Sequence, residues 1–306
     1  MSKITPHLWF DTEAKEASQF YVSLFPNSKI KSVQVIKDTP SGDCDIVSFE
    51  LAGQSFMSIS AGPIFKLNPS ISFMVNFDPS QDLEAQRHLD SAWEKLSQGG
   101  KVMMPLQEYP FSERYGWIQD RFGVSWQLIL TKPEGEPRPL IVPTLLFVGE
   151  AYGKAEEAVD YYVSVFSFKG GKDSKLGERI KYPAGALPNK EGTVMFSDFS
   201  LAGSWFVAMD GGGEHNFKFN EALSFMVKCD TQAEVDYFWA KLSAVPESEQ
   251  CGWLKDKFGV SWQIVPSAMD EMMASGSQGQ IARVTQAFLQ MKKFDIAKLQ
   301  KAYEGK

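Results

Sequence analysis

The feature that most constrains this chain is that it repeats itself. Residues 116–128 read GWIQDRFGVSWQL and residues 252–264 read GWLKDKFGVSWQI, with nine of the thirteen positions identical and the other four exchanged conservatively. Further pairs recur in the same order: residues 4–10 with 141–147, 20–25 with 161–166, Leu51-Ala52-Gly53 with Leu201-Ala202-Gly203, and 72–75 with 224–227. Collinear self-similarity over most of a 306-residue chain implies a duplicated unit, each copy of ordinary domain size. The expected organisation is a first domain over residues 1–131, a Pro-rich linker over 132–140, a second domain over 141–266 and a helical tail over 267–306.

Within the first copy, alternation marks residues 4–10 as a strand. Asp11 or Thr12 is expected to cap a helix with Ala14, Ala17, Tyr21 and Leu24 on one face, stopped by Pro26-Asn27. Strands follow over 29–37, 45–51 and 55–60, the last two joined by a tight turn at Ala52-Gly53. The order then restarts with a strand over 71–77, a helix from about Gln81 to Leu96 carrying Leu83, Leu89, Trp93 and Leu96, and strands over 101–106, 114–119 and 125–130. Periodicity alone gives the α+β class. The second copy follows the same order, with Thr231-Gln-Ala-Glu234 as a capping box. It has about ten fewer residues before its Gly-Trp strand, so its sixth strand should be short or missing and one edge of its cleft open. In the tail, Ser277-Gln-Gly-Gln280 reads as another capping box, and Ile281, Val284, Phe288 and Met291 form a stripe that should pack on a domain.

Composition excludes several functions. The net charge is -7 and the cations are interleaved with acids, so no basic face for nucleic acid is expected. No signal-like start or membrane-spanning run is evident, which predicts a cytoplasmic protein without a membrane partner. Cys44, Cys229 and Cys251 lack CxxC spacing and read as reduced thiols, with Cys229 half-buried beside a strand. The three histidines, His7, His88 and His215, stand in unrelated contexts, and no Gly-x-Ser-x-Gly elbow is present. Asp210-Gly-Gly-Gly213 leads to another strand rather than a helix and reads as a turn.

Ile4-Thr-Pro followed by Leu8-Trp-Phe, Phe20-Tyr-Val-Ser-Leu-Phe, Tyr115-Gly-Trp and Asp120-Arg-Phe-Gly-Val-Ser-Trp-Gln together resemble a known family. It is the PhnB-like or "3-demethylubiquinone-9 3-methyltransferase" domains of the vicinal oxygen chelate superfamily, which also holds glyoxalase I, bleomycin-resistance proteins and extradiol dioxygenases. The resemblance implies tandem glyoxalase-like domains, each of paired βαβββ modules forming a curved, partly open barrel whose concave face holds a small molecule and sometimes a divalent metal. In metal-using relatives the ligands lie on the first strand, near the start of the fifth and on the last. Those places hold His7, Ser70 and Gln127 in the first copy and Thr144, Ala222 and Gln263 in the second. Such donors hold a divalent cation poorly, so no metal and no cofactor are expected. The methyl transfer in the family name would call for a donor pocket such as a Gly-rich loop between strand and helix, and none is found.

Alternation puts His7 and Trp9 on the cleft face of the first strand, opposite Pro6, Leu8 and Phe10. On the fifth strand Ser72, Met74 and Asn76 face the cleft, while Trp126 and Trp262 point beneath the helices. The expected site is therefore a cleft in the first copy, lined by His7, Trp9, Ser72, Met74, Tyr115 and Gln127, that takes a small organic molecule without metal. The second copy is expected to be degenerate and to complete the pairing that other members achieve by dimerising. The chain would then be an intrachain pseudo-dimer that could also associate as a homodimer. Three alternatives stay open: a metal-dependent lyase or dioxygenase using His7, with Glu50 or Glu108 as a carboxylate; a sequestration protein like the bleomycin-resistance members; and a methyltransferase.

Overall fold

The computed structural model describes residues 3–39, 41–132, 137–168 and 173–306, so residues 133–136 of the expected linker lie outside the described residues. The order β, α, β, β, β runs through the chain as four modules. The first is β1 (Ile4–Phe10), α1 (Ala14–Val22), β2 (Lys29–Thr39), β3 (Gly42–Leu51) and β4 (Gln54–Ser60). The second is β5 (Ile71–Phe77), α2 (Ala85–Ser97), β6 (Lys101–Tyr109), β7 (Ser112–Gln119) and β8 (Ser125–Leu130). The third is β9 (Ile141–Phe147), α3 (Ala155–Phe166), β10 (Lys175–Lys181), β11 (Val194–Leu201) and β12 (Ser204–Asp210). The fourth is shortened to β13 (Leu223–Cys229), α4 (Gln232–Leu242), β14 (Trp253–Lys255) and β15 (Ser261–Pro266), as the missing residues predict.

The modules pair between the copies rather than within them. One mixed sheet runs β14-β15-β13-β1-β4-β3-β2 and the other β10-β11-β12-β9-β5-β8-β7-β6. Each is thus joined at its centre by an antiparallel ladder from the two copies, β1 with β13 and β5 with β9. The expectation that each copy closes around its own cleft is corrected here. Period-two alternation assigns a strand its faces but not its neighbour across the ladder. Neither sheet closes on itself, so each remains an open curve.

The buried apolar residues of both copies form one continuous core between the two sheets, to which each copy contributes its own chain of aromatic rings. In the first, Phe49 stacks on Phe56 of its own sheet, Phe56 touches Phe73 of the other and Phe73 touches Trp126, with ring centroids 5.3–5.6 Å apart. Phe199, Phe206, Phe225 and Trp262 repeat this chain in the second. Trp126 and Trp262 are fully buried under the helices, as alternation predicts. The repeated Asp-x-Phe-Gly-Val-Ser-Trp motif has a structural reason. Asp120 accepts hydrogen bonds from the backbone N–H of Phe122 and Val124, from Trp126 Nε1 and from Tyr21 Oη. Asp256 does the same for Phe258, Val260, Trp262 and Tyr162. Each carboxylate so ties a turn, a core tryptophan and the first-module helix of its own copy together, giving each of these four donors a buried acceptor.

The tail forms α5 (Ser267–Ser275), α6 (Gln278–Leu289) and α7 (Ile296–Glu304). Ser277 and Gln280 make both bonds of the capping box, and Val284 and Phe288 bury themselves against Met226 and Val265 of the fourth module. The N–H groups of Cys251 and Gly252 donate to the carbonyls of Met291 and Lys292, both at 2.8 Å. The tail therefore covers the edge that the shortened module was expected to leave open. Smaller differences have local causes. Glu13, not Asp11 or Thr12, sits at the start of α1, where the Ala14 N–H donates to Ser60 Oγ across the sheet. Leu83 is 99% exposed and precedes α2, because the Asp78 and Asp82 carboxylates take up backbone N–H groups in a turn there. At Thr231 only half the expected box forms, since the Glu234 carboxylate accepts from Asp230 N. Cys229 is fully buried rather than half-buried, and burial pushes its thiol up to about 12.

Candidate functional site

The concave face of the seven-stranded sheet carries a cavity of about 500 Å³. Its walls come from both copies and the tail: β1 and β4 supply His7, Trp9 and Met57, β13 and β15 supply Met226 and Gln263, and α5 supplies Met269 and Met273. Trp253 of β14 closes one side, packing edge-on to His7 at 5.5 Å and to Trp9 at 6.1 Å. The Trp9 indole is held in place by an N–H···O bond to the Gly62 carbonyl at 2.8 Å.

His7 is 4% exposed and its Nδ1 is buried without a hydrogen-bond partner. Burial lowers its pKa from 6.5 to about 4, so the imidazole is neutral at physiological pH. An unpaired buried ring nitrogen costs about 1–3 kcal/mol, a cost that a bound ligand could offset. Gln263, 5% exposed, donates through Nε2 to Ser224 Oγ at 2.9 Å. Glu221 lines the rim but is paired with Lys255 at 2.7 Å.

The residues expected to share one cleft are divided between two sheets. His7 and Trp9 line the cavity. Ser72, Met74, Tyr115 and Gln127 lie in the eight-stranded sheet. There the Tyr115 hydroxyl donates to Gln127 Oε1 at 2.7 Å and Gln127 Nε2 donates to Ser72 Oγ at 2.8 Å, with all four side chains buried. The cleft partners of His7 come instead from the second copy, in Met226, Trp253 and Gln263, and from the tail. Gln263 was visible as the counterpart of Gln127, but the pairing that brings it to His7 is not written in either segment alone. His88 pairs with Asp82 on the surface and His215 lies on a loop at the Gly212 carbonyl, so the three histidines do not converge.

The divalent metal implied by the resemblance does not fit these residues. His7 is flanked in register by Met57 and Ser224, and the nearby last-strand position is the amide Gln263. One imidazole with neutral amide, hydroxyl and thioether neighbours supplies a single strong donor, where a divalent cation takes three or more protein ligands. Among the described residues no group of three His, Cys, Asp or Glu side chains is placed to hold a metal ion.

Three βαβββ modules and a shortened fourth set in two mixed sheets, with a ligand-sized hollow on one concave face, define a protein of the vicinal oxygen chelate fold. The family described as 3-demethylubiquinone-9 3-methyltransferase matches residues 2–129 and again 139–265, and the chain belongs to it. Among solved structures, a putative 3-demethylubiquinone-9 3-methyltransferase, PhnB protein, from Bacillus cereus is 36% identical over 42% of this chain and 99% of its own, with a TM-score of 0.38. Glyoxalase I from Zea mays is 11% identical over 89% of this chain and 96% of its own at a TM-score of 0.53, a likeness of fold. A putative dioxygenase from Bacillus subtilis aligns over 87% of this chain and 85% of its own, at 11% identity and a TM-score of 0.48. No curated protein matches the chain. No helix among the described residues is long and apolar enough to cross a membrane.

Proposed function

We propose that the chain binds a small, largely apolar organic molecule in the cavity between its first and fourth modules, without a metal. The observation that carries this reading is the hollow itself, where His7, a buried residue with an unpartnered Nδ1, joins Gln263 on a lining of Trp9, Trp253, aliphatic side chains and methionines. A concave apolar site with a few convergent polar groups is the usual form of a small-molecule site. Polarisable methionines suit flat or variable ligands. Methyl transfer draws no support, since Asp210-Gly-Gly-Gly213 is the turn after β12 and the Asp210 carboxylate is spent on the N–H groups of Gly153, Ala155 and Val194.

A thermal-shift screen of metal-stripped protein against divalent ions and against aromatic, thiol and quinone-like compounds tests the reading. A ligand at a hundred times its Kd adds about 2.7 kcal/mol to the native state, an easily read rise in Tm. The expected result is a rise with an organic compound alone, abolished in His7→Ala. A rise with Mn, Fe, Ni or Zn that vanishes in His7→Ala would replace this reading with the metal-dependent enzyme.

A further inference from the structure

The two concave faces are repeats of one another, and a tyrosine present in one is missing from the other. In the eight-stranded sheet the Tyr115 ring is packed by Tyr109 and Phe111, at centroid distances of 5.5 and 5.0 Å, and its hydroxyl donates to Gln127 Oε1. In the hollow face the same Gln–Ser pair stands ready, with Gln263 Nε2 on Ser224 Oγ. The place of Tyr115 in the Tyr-Gly-Trp motif is taken by Cys251. The ten or so residues missing before it include the counterparts of Tyr109 and Phe111. Cys251 adopts a positive φ of 51° and turns its thiol to the Leu289 carbonyl in the tail, at 3.8 Å. The second copy has thus lost a phenol from its own concave face while keeping the amide that received it.

We propose that the cavity's ligand is an uncharged hydroxyarene that takes the place of the lost phenol, its O–H donating to Gln263 Oε1 and its ring lying against Trp9 and Trp253. This rests on the cavity being a ligand site. Charge supports the same class. Among the described residues no lysine or arginine lines the cavity, whereas Glu221, Glu247 and Asp270 do. Glu221 and Asp270 are already paired with Lys255 and Lys228, so a carboxylate or phosphate ligand would find no cation on the described lining to pair with, a desolvation cost with little to offset it. A neutral phenol meets one open acceptor, Gln263 Oε1, and the unpaired imidazole of His7 beside it.

The test is calorimetric titration of the full chain with naphthol, its methyl ether and naphthoate, in wild type, Gln263→Met and Gln127→Met. The ether keeps the ring but has no proton to donate. We expect naphthol to bind wild type at least tenfold more tightly than the ether, and naphthoate not to bind measurably. The tenfold preference should disappear in Gln263→Met, which keeps the volume and loses the acceptor, and persist in Gln127→Met. Equal affinity for naphthol and ether in wild type overturns the hydroxyarene assignment and leaves an apolar binding site, and this comparison requires no variant to fold. Persistence of the preference in Gln263→Met overturns the role of Gln263. If neither neutral ring binds, the reading of the cavity as an aromatic site fails along with it.

Discussion

His7 couples the candidate site to pH. Its imidazole is neutral in the fold because burial lowers its pKa to about 4, whereas in the unfolded chain it titrates near 6.5. Between those values the unfolded state binds more protons, so the stability that the neutral form supplies is complete above pH 6.5 and is lost as pH falls toward 4. The full difference corresponds to about 3 kcal/mol. Melting temperatures measured from pH 7.5 to 4 should therefore fall more steeply in wild type than in His7→Phe; parallel curves would show that His7 is not held neutral by burial. Asp256 plays the opposite part, a purely structural one. It ends four hydrogen bonds, and Asp256→Asn offers one oxygen and two N–H groups to partners that are all donors. About 2–4 kcal/mol should be lost, read as a drop in the urea midpoint, with a similar loss for Asp120→Asn because its partners are the same. A change under 1 kcal/mol would mean that water replaces the lost acceptor.

The tail and the shortened module fit each other through a glycine. Gly116 and Gly252 occupy the same place in the repeat, yet they are needed for different reasons. A Cβ on Gly116 would stand 2.5 Å from the Trp93 ring of α2, and a Cβ on Gly252 would stand 2.5 Å from the Phe294 ring of the tail, on a backbone at φ +83°. Gly252→Ala should thus cost about 1–3 kcal/mol in strain and contact. The loss should fall on the seating of residues 267–306, seen as faster proteolysis there while Trp262 stays buried by fluorescence. Uniform destabilisation of the whole chain would show that tail and sheets unfold as one unit. The elements were largely legible beforehand: the alternation at His7 and Trp9, the truncation of the fourth module and the stripe of α6 all follow from local pattern. What local pattern could not reveal is that the stripe fills the space of the deleted strand. That depends on two segments about 40 residues apart matching in shape, and neither Gly252 nor Phe294 signals the other.

At the scale of the molecule, the covalent copies and the sheets divide the chain in different ways, and this is why four of the six residues expected to share one cleft stand in the other sheet. Every residue of the Phe49-Phe56-Phe73-Trp126 core and of the Tyr21–Asp120 bond belongs to the first copy, yet β1 and β5 each take one of their two neighbouring strands from the second. A fragment ending after Leu130 should keep its core and present two unpaired strand edges, a strong drive to associate. Because β5 is the repeat counterpart of β13, β1 of one fragment can pair with β5 of another in the register now used for β13, and a twofold dimer satisfies both edges at once. Sedimentation of this fragment should accordingly show a dimer with native-like near-ultraviolet dichroism. A folded monomer would mean that the shared core suffices and that the central ladders add little. The dimer should also be empty-handed. Its rebuilt sheets would place His7 beside Gln127, whose carbonyl oxygen is already taken by Tyr115, so a hydroxyarene that binds the full chain should not bind the fragment. Tyr115→Phe in that fragment frees the Gln127 acceptor but leaves the ring in place. Binding should return only when the ring is removed as well, in Tyr115→Cys, if a phenol-shaped vacancy is what makes the site.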